Sequence, residues 1–392
     1  MADVTARTSP SYKSTVLQGI SEMTPIFDHA WVPFDAIRFD DPLFDSIKAD
    51  YPEFNLWREH ALLTKVSRRA LVVYTASGGY AGMGLVKYGE GPDGPSQFAM
   101  KISTLKVADC SKLRGVADFL LSQIVADAFE KKISVVFLTV PQSHEDLCRY
   151  LELRGFRRGP KTASSQEFIY IADFADPERV YSAINRLAYD ILAQDYLARS
   201  QTPGCSQESP EYLANLLLDH VAVEQPRILE LGPGSGDVLR VLAKSSLHAL
   251  AVEISPEMAR IASLAAPTAT IVVADLLFVD FPAGSFDAIY AGAFIHLFPK
   301  SVATNIVGKI SNWLTPEGAA FINTSIGSSG SEAIELKTDY LYRVARFRSR
   351  WTESEFRSMI EANALTVIDR ATTNEIERGK YWVAYVCAKN RR

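Results

Sequence analysis

The 392-residue chain reads as an α/β protein in two parts: a mixed N-terminal unit, antiparallel in its first half, and a C-terminal unit on a mostly parallel seven-stranded sheet. Three observations predict this. Between 68 and 107, apolar runs are joined directly by glycine and proline turns, the pattern of an antiparallel meander. Between 227 and 324, short aliphatic runs alternate with helical patterns, the pattern of parallel strands with crossover helices. Between these regions lies SQTPGCSQESP (200–210), a polar segment of the kind that links folded units.

The first unit, 33–174, begins with a helical patch around PLFDSIKADY and a second helix, EFNLWREHALLTK. The strand RALVVYTA turns at Gly78 and Gly79 into YAGMGLVKYGE, and GPDGP (91–95) turns the chain again into QFAMKISTLKV. A long amphipathic helix (114–131), the apolar strand ISVVFLTV (133–140), a shorter helix SHEDLCRYLELRGF and the strand EFIYIADF (167–174) complete it. Residues 175–210 hold PERVYSAINRLAYDILAQDYLARS, apolar at helical spacing without a breaker, and then the linker. The second unit, 211–392, carries RILELG, HALAVEI, TIVVAD, FDAIYAG and GAAFINT as parallel strands, with ALTVIDRATT and YWVAYVCA as a closing antiparallel pair.

Composition narrows the class of protein. Hydrophobic residues at 47%, charged residues at 22% and a net charge of −5 describe an ordinary globular chain and argue against polyanionic partners such as nucleic acid. No run approaches the ~18 apolar residues of a membrane-spanning helix. The opening MADVTARTSPSYKS lacks the apolar core of a signal peptide and reads as a frayed tail. Cys110, Cys148, Cys205 and Cys387 form no CxxC pair, which fits a reducing cytoplasm and argues against a zinc site. The expected setting is cytoplasmic, with a small-molecule substrate, no metal, no membrane, and a homodimer as the expected assembly.

The chemistry concentrates at Glu230-Leu-Gly232-Pro-Gly234-Ser-Gly236, after a strand and before a helix. Alternate glycines let the backbone approach a ligand closely at a helix N-terminus, although a tight β–α turn needs no ligand at all. Glu253 ends the next strand, where a carboxylate can accept both hydroxyl hydrogens of a ribose. Asp275 ends the third, where it can accept from an adenine amino group. A nicotinamide loop aligned on Gly232 would require Gly or Ala where Asp237 stands. His296, just past the fourth strand, reads either as a general base or as a structural histidine flanking the pocket, and Asp287 as a structural strand-start acid.

Over roughly 180–390 these residues resemble the class I S-adenosylmethionine-dependent methyltransferases, which have a Rossmann-like fold: ELGPGSG, AVEIS, VVADLL, FDAIYAGAFIHL and the turn LTPEGAAFI. The resemblance implies that Gly232, Gly234 and Gly236, with Glu230, cradle the methionine part of S-adenosyl-L-methionine. It implies that Glu253 and Ile254 hold the ribose, and that Asp275, Leu276 and Ala291 lie against the rest of the cofactor. Tyr189, Asp190 and Tyr196 match a YDxxAxxY segment that covers the cofactor in small-molecule members. His296 is then the candidate catalytic residue. No NPPY-type run follows the fourth strand, which disfavours methylation of base amino groups. The basic, aromatic segment 328–351 is read as a substrate wall, with Tyr340, Tyr342 and Arg343, joined by Arg346 and Arg348, meeting an aromatic or anionic substrate, or else as a solvated basic helix face.

Over roughly 33–174 the order meander, KLRGVA loop, long helix, apolar strand and LCRYLELRGFRR resembles the GNAT acyltransferases. The resemblance implies an acetyl-CoA or another acyl-CoA, with its pantetheine arm beside Leu105 and Val107. Its pyrophosphate would lie on Lys112, Arg114, Gly115, Val116 and Ala117. Where that family frequently has a thiol-protonating tyrosine, this chain has Leu151, with Tyr150 beside it. The combined expectation is methyl transfer to an O, N or C nucleophile of a small molecule, with acylation of the same or a related substrate. The alternative is an RNA- or protein-modifying methyltransferase whose N-terminal domain only recognises or scaffolds.

Overall fold

A computed structural model of the protein describes residues 27–64, 66–109, 115–162, 167–201, 208–375 and 379–390. Contacts divide these into two compact units. One runs to Ile191 and includes Ile334–Arg346; the other comprises Leu192–Ala333 and the chain from Phe347 onward.

The N-terminal unit comprises β1 (His29–Pro33), α1 (Asp45–Asp50), α2 (Phe54–Leu63), β2 (Arg68–Tyr74), β3 (Tyr80–Gly91), β4 (Gly94–Val107), α3 (Val116–Glu130), β5 (Val135–Val140), α4 (Glu145–Glu152), β6 (Arg157–Lys161) and β7 (Phe168–Asp173). Its sheet is ordered β1-β2-β3-β4-β5-β7-β6. The glycine and proline turns produce the antiparallel β2–β3–β4 meander. The β4–β5 pair is parallel and touches only from Ala99–Lys101 to Val135–Phe137. Two strands escape the sequence reading, β1 and β6. Both are edge strands, and β6 (RRGPK) is polar and carries a proline, which an edge tolerates because its outer N–H groups need no partner.

Bare glycines bring α3 onto this sheet. A Cβ on Gly82 would stand 2.7 Å from Val116 Cγ1, and one on Gly84 2.5 Å from Ile124 Cδ1. The helix therefore sits at backbone distance and buries Phe119, Leu120, Leu121 and Ile124. Its charges are satisfied locally. Asp127 accepts from the Tyr88 hydroxyl at 2.7 Å and pairs with Lys131. Asp118 is gripped by Arg154, whose Nη2 donates to Oδ2 at 2.9 Å, and accepts from the Tyr150 hydroxyl at 2.9 Å.

The unbroken helix α5 (Pro177–Ser200) follows, and the seam between the units falls within it. The C-terminal unit continues with α6 (Pro210–Leu218), β8 (Arg227–Leu231), α7 (Asp237–Lys244), β9 (His248–Glu253), α8 (Pro256–Ala265), β10 (Thr270–Val273), β11 (Phe286–Ala291), α9 (Lys300–Trp313) and β12 (Leu314–Ile326). The chain goes on through β13 (Ser331–Lys337) and β14 (Val344–Arg350), and the C-terminal unit ends with α10 (Glu353–Glu361), β15 (Leu365–Glu375) and β16 (Lys380–Lys389). The sheet order is β10-β9-β8-β11-β12-β16-β15, parallel from β10 to β12 and antiparallel at β16 and β15. This is the mostly parallel seven-stranded sheet read from the sequence, a Rossmann-like methyltransferase fold. The Tyr290 and Phe321 rings stack at 4.5 Å in its core, and Asp287 pairs with Arg227 at the start of β11, a structural acid as read.

The segment 328–351 is where the reading of a basic helix face fails. Its residues alternate rather than recur at helical spacing, and β13 and β14 pair as a two-stranded sheet. The stretch Ile334–Arg346 counts with the N-terminal unit. There the Tyr342 ring lies 4.9 Å from that of Phe119 and its hydroxyl accepts from Phe27 N at 2.8 Å. Arg343 pairs with Glu130 at 2.8 Å, and its carbonyl accepts from Gln123 Nε2. Among the described residues no helix is long and apolar enough to cross a membrane.

Arg154→Ala leaves Asp118 half-buried without its cation. We expect a loss of about 3 kcal/mol in unfolding free energy, read by urea denaturation; an unchanged midpoint would mean that solvent replaces the guanidinium at no cost.

Candidate functional site

The strand β8 delivers the chain into three left-handed glycines, Gly232 (φ 64°), Gly234 (φ 57°) and Gly236 (φ 81°). Space makes two of them obligatory as well. A Cβ on Gly232 would lie 2.6 Å from the Phe294 ring, and one on Gly236 would lie 2.7 Å from Ala262 Cα on α8. Gly234 meets nothing within 4 Å, so the loop has packed flanks and an open centre. Gly232 N donates to Val252 O at 2.9 Å, tying the loop to β9.

Carboxylates surround this centre. Glu253, buried at the end of β9, accepts from Ser255 N at 2.8 Å, and Ser255 in turn caps α8 through Met258 N. Asp275, just past β10, accepts from Leu277 N at 3.0 Å with Leu276 buried beside it. Glu230 lies opposite Tyr290 in the β8–β11 register and is buried, its Oε2 without a hydrogen-bond partner. Burial, reinforced by the neighbouring charges of Glu253 and Asp237, pushes the Glu230 carboxyl up to about 8.

The exit from β11 is strained. Tyr290 fills the space a Cβ on Gly292 would need, and Ala293 adopts the left-handed region at φ 52°. The Ala293 N–H donates to Asn323 Oδ1 on β12, which holds that conformation. The chain then lays Phe294 on Gly232 and buries His296, whose ring stands 5.8 Å from that of Trp382. Sequence reasoning missed Asn323 and Trp382. A polar residue inside the aliphatic run GAAFINT was the one available signal for the first.

The structure brings Glu230, Gly232, Gly234, Gly236, Glu253, Ile254, Asp275, Leu276, Ala291 and His296 to the C-terminal ends of β8–β11. Tyr189 and Tyr196 both lie on α5, the first in the part counted with the N-terminal unit and the second in the part counted with the C-terminal one. Tyr340, Tyr342 and Arg343 sit in the N-terminal unit, where the Tyr340 ring meets the Lys337 ammonium at 4.2 Å. Leu105 and Val107 are on β4, Gly115 caps α3 at φ 87°, and Val116 and Ala117 form its first turn. Lys112 and Arg114 lie outside the described residues. No group of three or more His, Cys, Asp or Glu side chains suited to a metal occurs among the described residues.

Residues 228–318, which span the glycine loop, all three carboxylates and His296, match the family model of a methyltransferase domain. The C-terminal unit carries a methyltransferase domain. No curated protein matches the chain. Among solved structures, the 1,6-didemethyltoxoflavin-N1-methyltransferase of Burkholderia thailandensis, with bound 1,6-didemethyltoxoflavin and S-adenosylhomocysteine, is 16% identical over 60% of this chain and 96% of its own, with a TM-score of 0.43. A TehB-like SAM-dependent methyltransferase from Corynebacterium glutamicum is 20% identical over 53% of this chain and 100% of its own, with a TM-score of 0.39. The DhpI–SAH complex is 16% identical over 54% of this chain and 98% of its own, with a TM-score of 0.43.

Two substitutions in the methyltransferase domain test this geometry. Gly236→Ala places a methyl against backbone at a left-handed position, and should cost about 2 kcal/mol or more in denaturant unfolding. Glu230 keeps in the folded state a proton that the unfolded chain gives up above the ordinary carboxylate range. Its contribution to stability is therefore complete at low pH and lost as pH rises toward 8, at no more than ~1.4 kcal/mol per pH unit. Glu230→Gln should accordingly gain thermal stability over the parent between pH 5 and pH 8, and a pH-independent difference in melting temperature would refute the assignment.

Proposed function

We propose that the C-terminal unit transfers a methyl group from S-adenosyl-L-methionine to an O, N or C nucleophile of a small molecule. The observation that carries this reading is the set of three acidic side chains, Glu230, Glu253 and Asp275, at successive strand ends around an open glycine loop, inside the stretch that matches a methyltransferase domain. The donor set fits the cofactor. Glu230 presents a buried carboxylate oxygen with no partner, suited to balance an ammonium group, and Gly234 leaves the centre of the loop bare for close backbone approach. Glu253 would accept the ribose hydroxyls, and Asp275 an adenine amino group, with Leu276 against the ring.

When bound, the cofactor supplies an electrophilic methyl on a sulfonium sulfur. The chain's own part is to orient the acceptor and to exclude water. His296, buried beside Trp382, takes up the acceptor's proton on an imidazole nitrogen. Tyr196, in the part of α5 counted with the C-terminal unit, would cover the cofactor. The setting expected from composition is cytoplasmic.

For the N-terminal unit we propose a GNAT-like fold. The strand order, the short parallel touch between β4 and β5 and the left-handed Gly115 entering α3 support it. An acyl-CoA would run beside Leu105 and Val107 toward Gly115, Val116 and Ala117. One observation favours a binding or scaffold role over catalysis. Leu151, at the position of the thiol-protonating tyrosine, is wholly buried, and the neighbouring Tyr150 hydroxyl is committed to Asp118.

Calorimetry of the full chain with S-adenosyl-L-methionine and, separately, with acetyl-CoA tests both readings. Heat is expected with the first, and its absence would overturn the methyl-transfer assignment. Acetyl-CoA should bind without hydrolysis or transfer; rapid acyl transfer to amines would restore a catalytic role.

A further inference from the structure

Past the ends of β11 and β12, the C-terminal unit holds two hydrogen-bond donors that no group among the described residues takes up. The first is on Asn323, whose Oδ1 accepts from the Ala293 N–H. Only the oxygen of a carboxamide can accept, so that tether settles which way round the side chain stands and turns Nδ2 away from Ala293. Nδ2 donates to nothing among the described residues, and Asn323 is only half-buried, which leaves its N–H groups within reach of a ligand. The second donor is on Trp382. Its ring is half-buried, and its Nε1 is fully buried with no acceptor among the described residues. Ser325, opposite Trp382 in the β12–β16 register, is engaged elsewhere: its Oγ accepts from Arg348 Nη2 at 2.7 Å.

Register brings the two donors together. Asn323 pairs with Ala384 and Ser325 with Trp382, so Asn323 and Trp382 are diagonal neighbours on one side of the sheet. Diagonal neighbours stand roughly 7–8 Å apart at the backbone, a gap that an amide and an indole can close between them. The His296 ring lies beside Trp382, 5.8 Å between centroids and steeply tilted to the indole. A buried indole N–H is costly until it meets an acceptor. Neither donor carries a charge, and a carbonyl oxygen, with two lone pairs, can accept from both at once. The half-buried indole also offers a flat face to the ring that bears such an oxygen.

We propose that the methyl acceptor is a flat, uncharged ring compound with a carbonyl oxygen on the ring (a cyclic ketone, lactam or imide), held through that oxygen by Asn323 Nδ2 and Trp382 Nε1 with its nucleophile beside His296. This rests on the methyl-transfer reading of the site. It names the substrate class that the glycine loop and its carboxylates leave open. The same two hydrogen bonds serve the chemistry. When a conjugated N–H or enol O–H gives up its proton to His296, the electron pair left behind spreads onto the carbonyl oxygen, where both donors stabilise it until it forms the bond to the methyl.

The test uses the full chain saturated with S-adenosylhomocysteine and two probes that share a flat bicyclic frame: 1-indanone, which has the carbonyl, and indane, which lacks it. In nuclear magnetic resonance with the tryptophans isotopically labelled on nitrogen, the Trp382 indole N–H is the one of five tryptophan signals missing from Trp382→Phe. 1-Indanone should move that signal downfield, as a new hydrogen bond does, and indane should not. In calorimetry, Trp382→Phe, which keeps a ring and removes the N–H, should weaken 1-indanone about threefold or more. Asn323→Asp, which still accepts from the Ala293 N–H and has no Nδ2 to donate, should weaken it by at least as much. S-adenosylhomocysteine binding without a downfield move on adding 1-indanone would overturn the carbonyl assignment alone. So would a downfield move with both probes, or variants that bind 1-indanone as the parent does. Failure of the parent protein to bind S-adenosylhomocysteine would overturn the methyl-transfer reading and this inference with it.

Discussion

The glycine loop after β8 is pressed between the Phe294 ring and the α8 backbone, and the site in the C-terminal unit depends on that contact. With a side chain at Gly232 or Gly236, either β11's exit or α8 would have to move. Both carry functional groups. The exit of β11 leads to His296, and α8 is entered through Ser255, whose backbone N–H holds Glu253. These two tight contacts therefore set the relative positions of a candidate base and a candidate cofactor carboxylate. The strain at Ala293 and its tether to Asn323 belong to the same arrangement, since they aim Phe294 at the loop.

Glu230 shows what such packing costs. A carboxyl buried beside Glu253 and Asp237, with one oxygen unmatched, is poorly placed for stability. It is well placed to receive a positively charged group. Local stability is sacrificed where a ligand is expected to restore it, which distinguishes this acid from Asp287, held below the ordinary carboxylate range by Arg227 and serving the sheet alone. The N-terminal unit offers the opposite case. Its half-buried Asp118 is matched by Arg154 and Tyr150, and these interactions use up the hydroxyl closest in sequence to the position where a thiol acid is sought.

Much of this was legible in the linear sequence because it rests on local chemistry. Gly232, Gly234 and Gly236 announce left-handed backbone, and the aliphatic runs of β8 to β11 announce a buried parallel sheet, so Glu253, Asp275 and His296 could be placed at strand ends by counting. The meander was readable from its turns. What stayed hidden has a common cause. β1 and β6 are five-residue edge strands, β6 polar and β1 (HAWVP) without hydrophobic alternation, and β13 and β14 are short enough that basic residues mask their period. Tyr342 and Arg343 look like pocket residues in isolation, and only their contacts with Phe27, Phe119, Gln123 and Glu130 reveal packing within the N-terminal unit.

The sequence by itself determined the element order, the glycine loop and the acids that follow successive strands, because backbone freedom and strand-end position are properties of consecutive residues. Tertiary structure alone decided that Asn323 holds Ala293, that Trp382 stands beside His296, and that Arg348 reaches Ser325. Each of those pairs joins residues far apart in the chain, and nothing in the spacing of either partner marks the other. Sheet register brings Trp382 opposite Ser325, and register is fixed by how whole faces bury their apolar side chains.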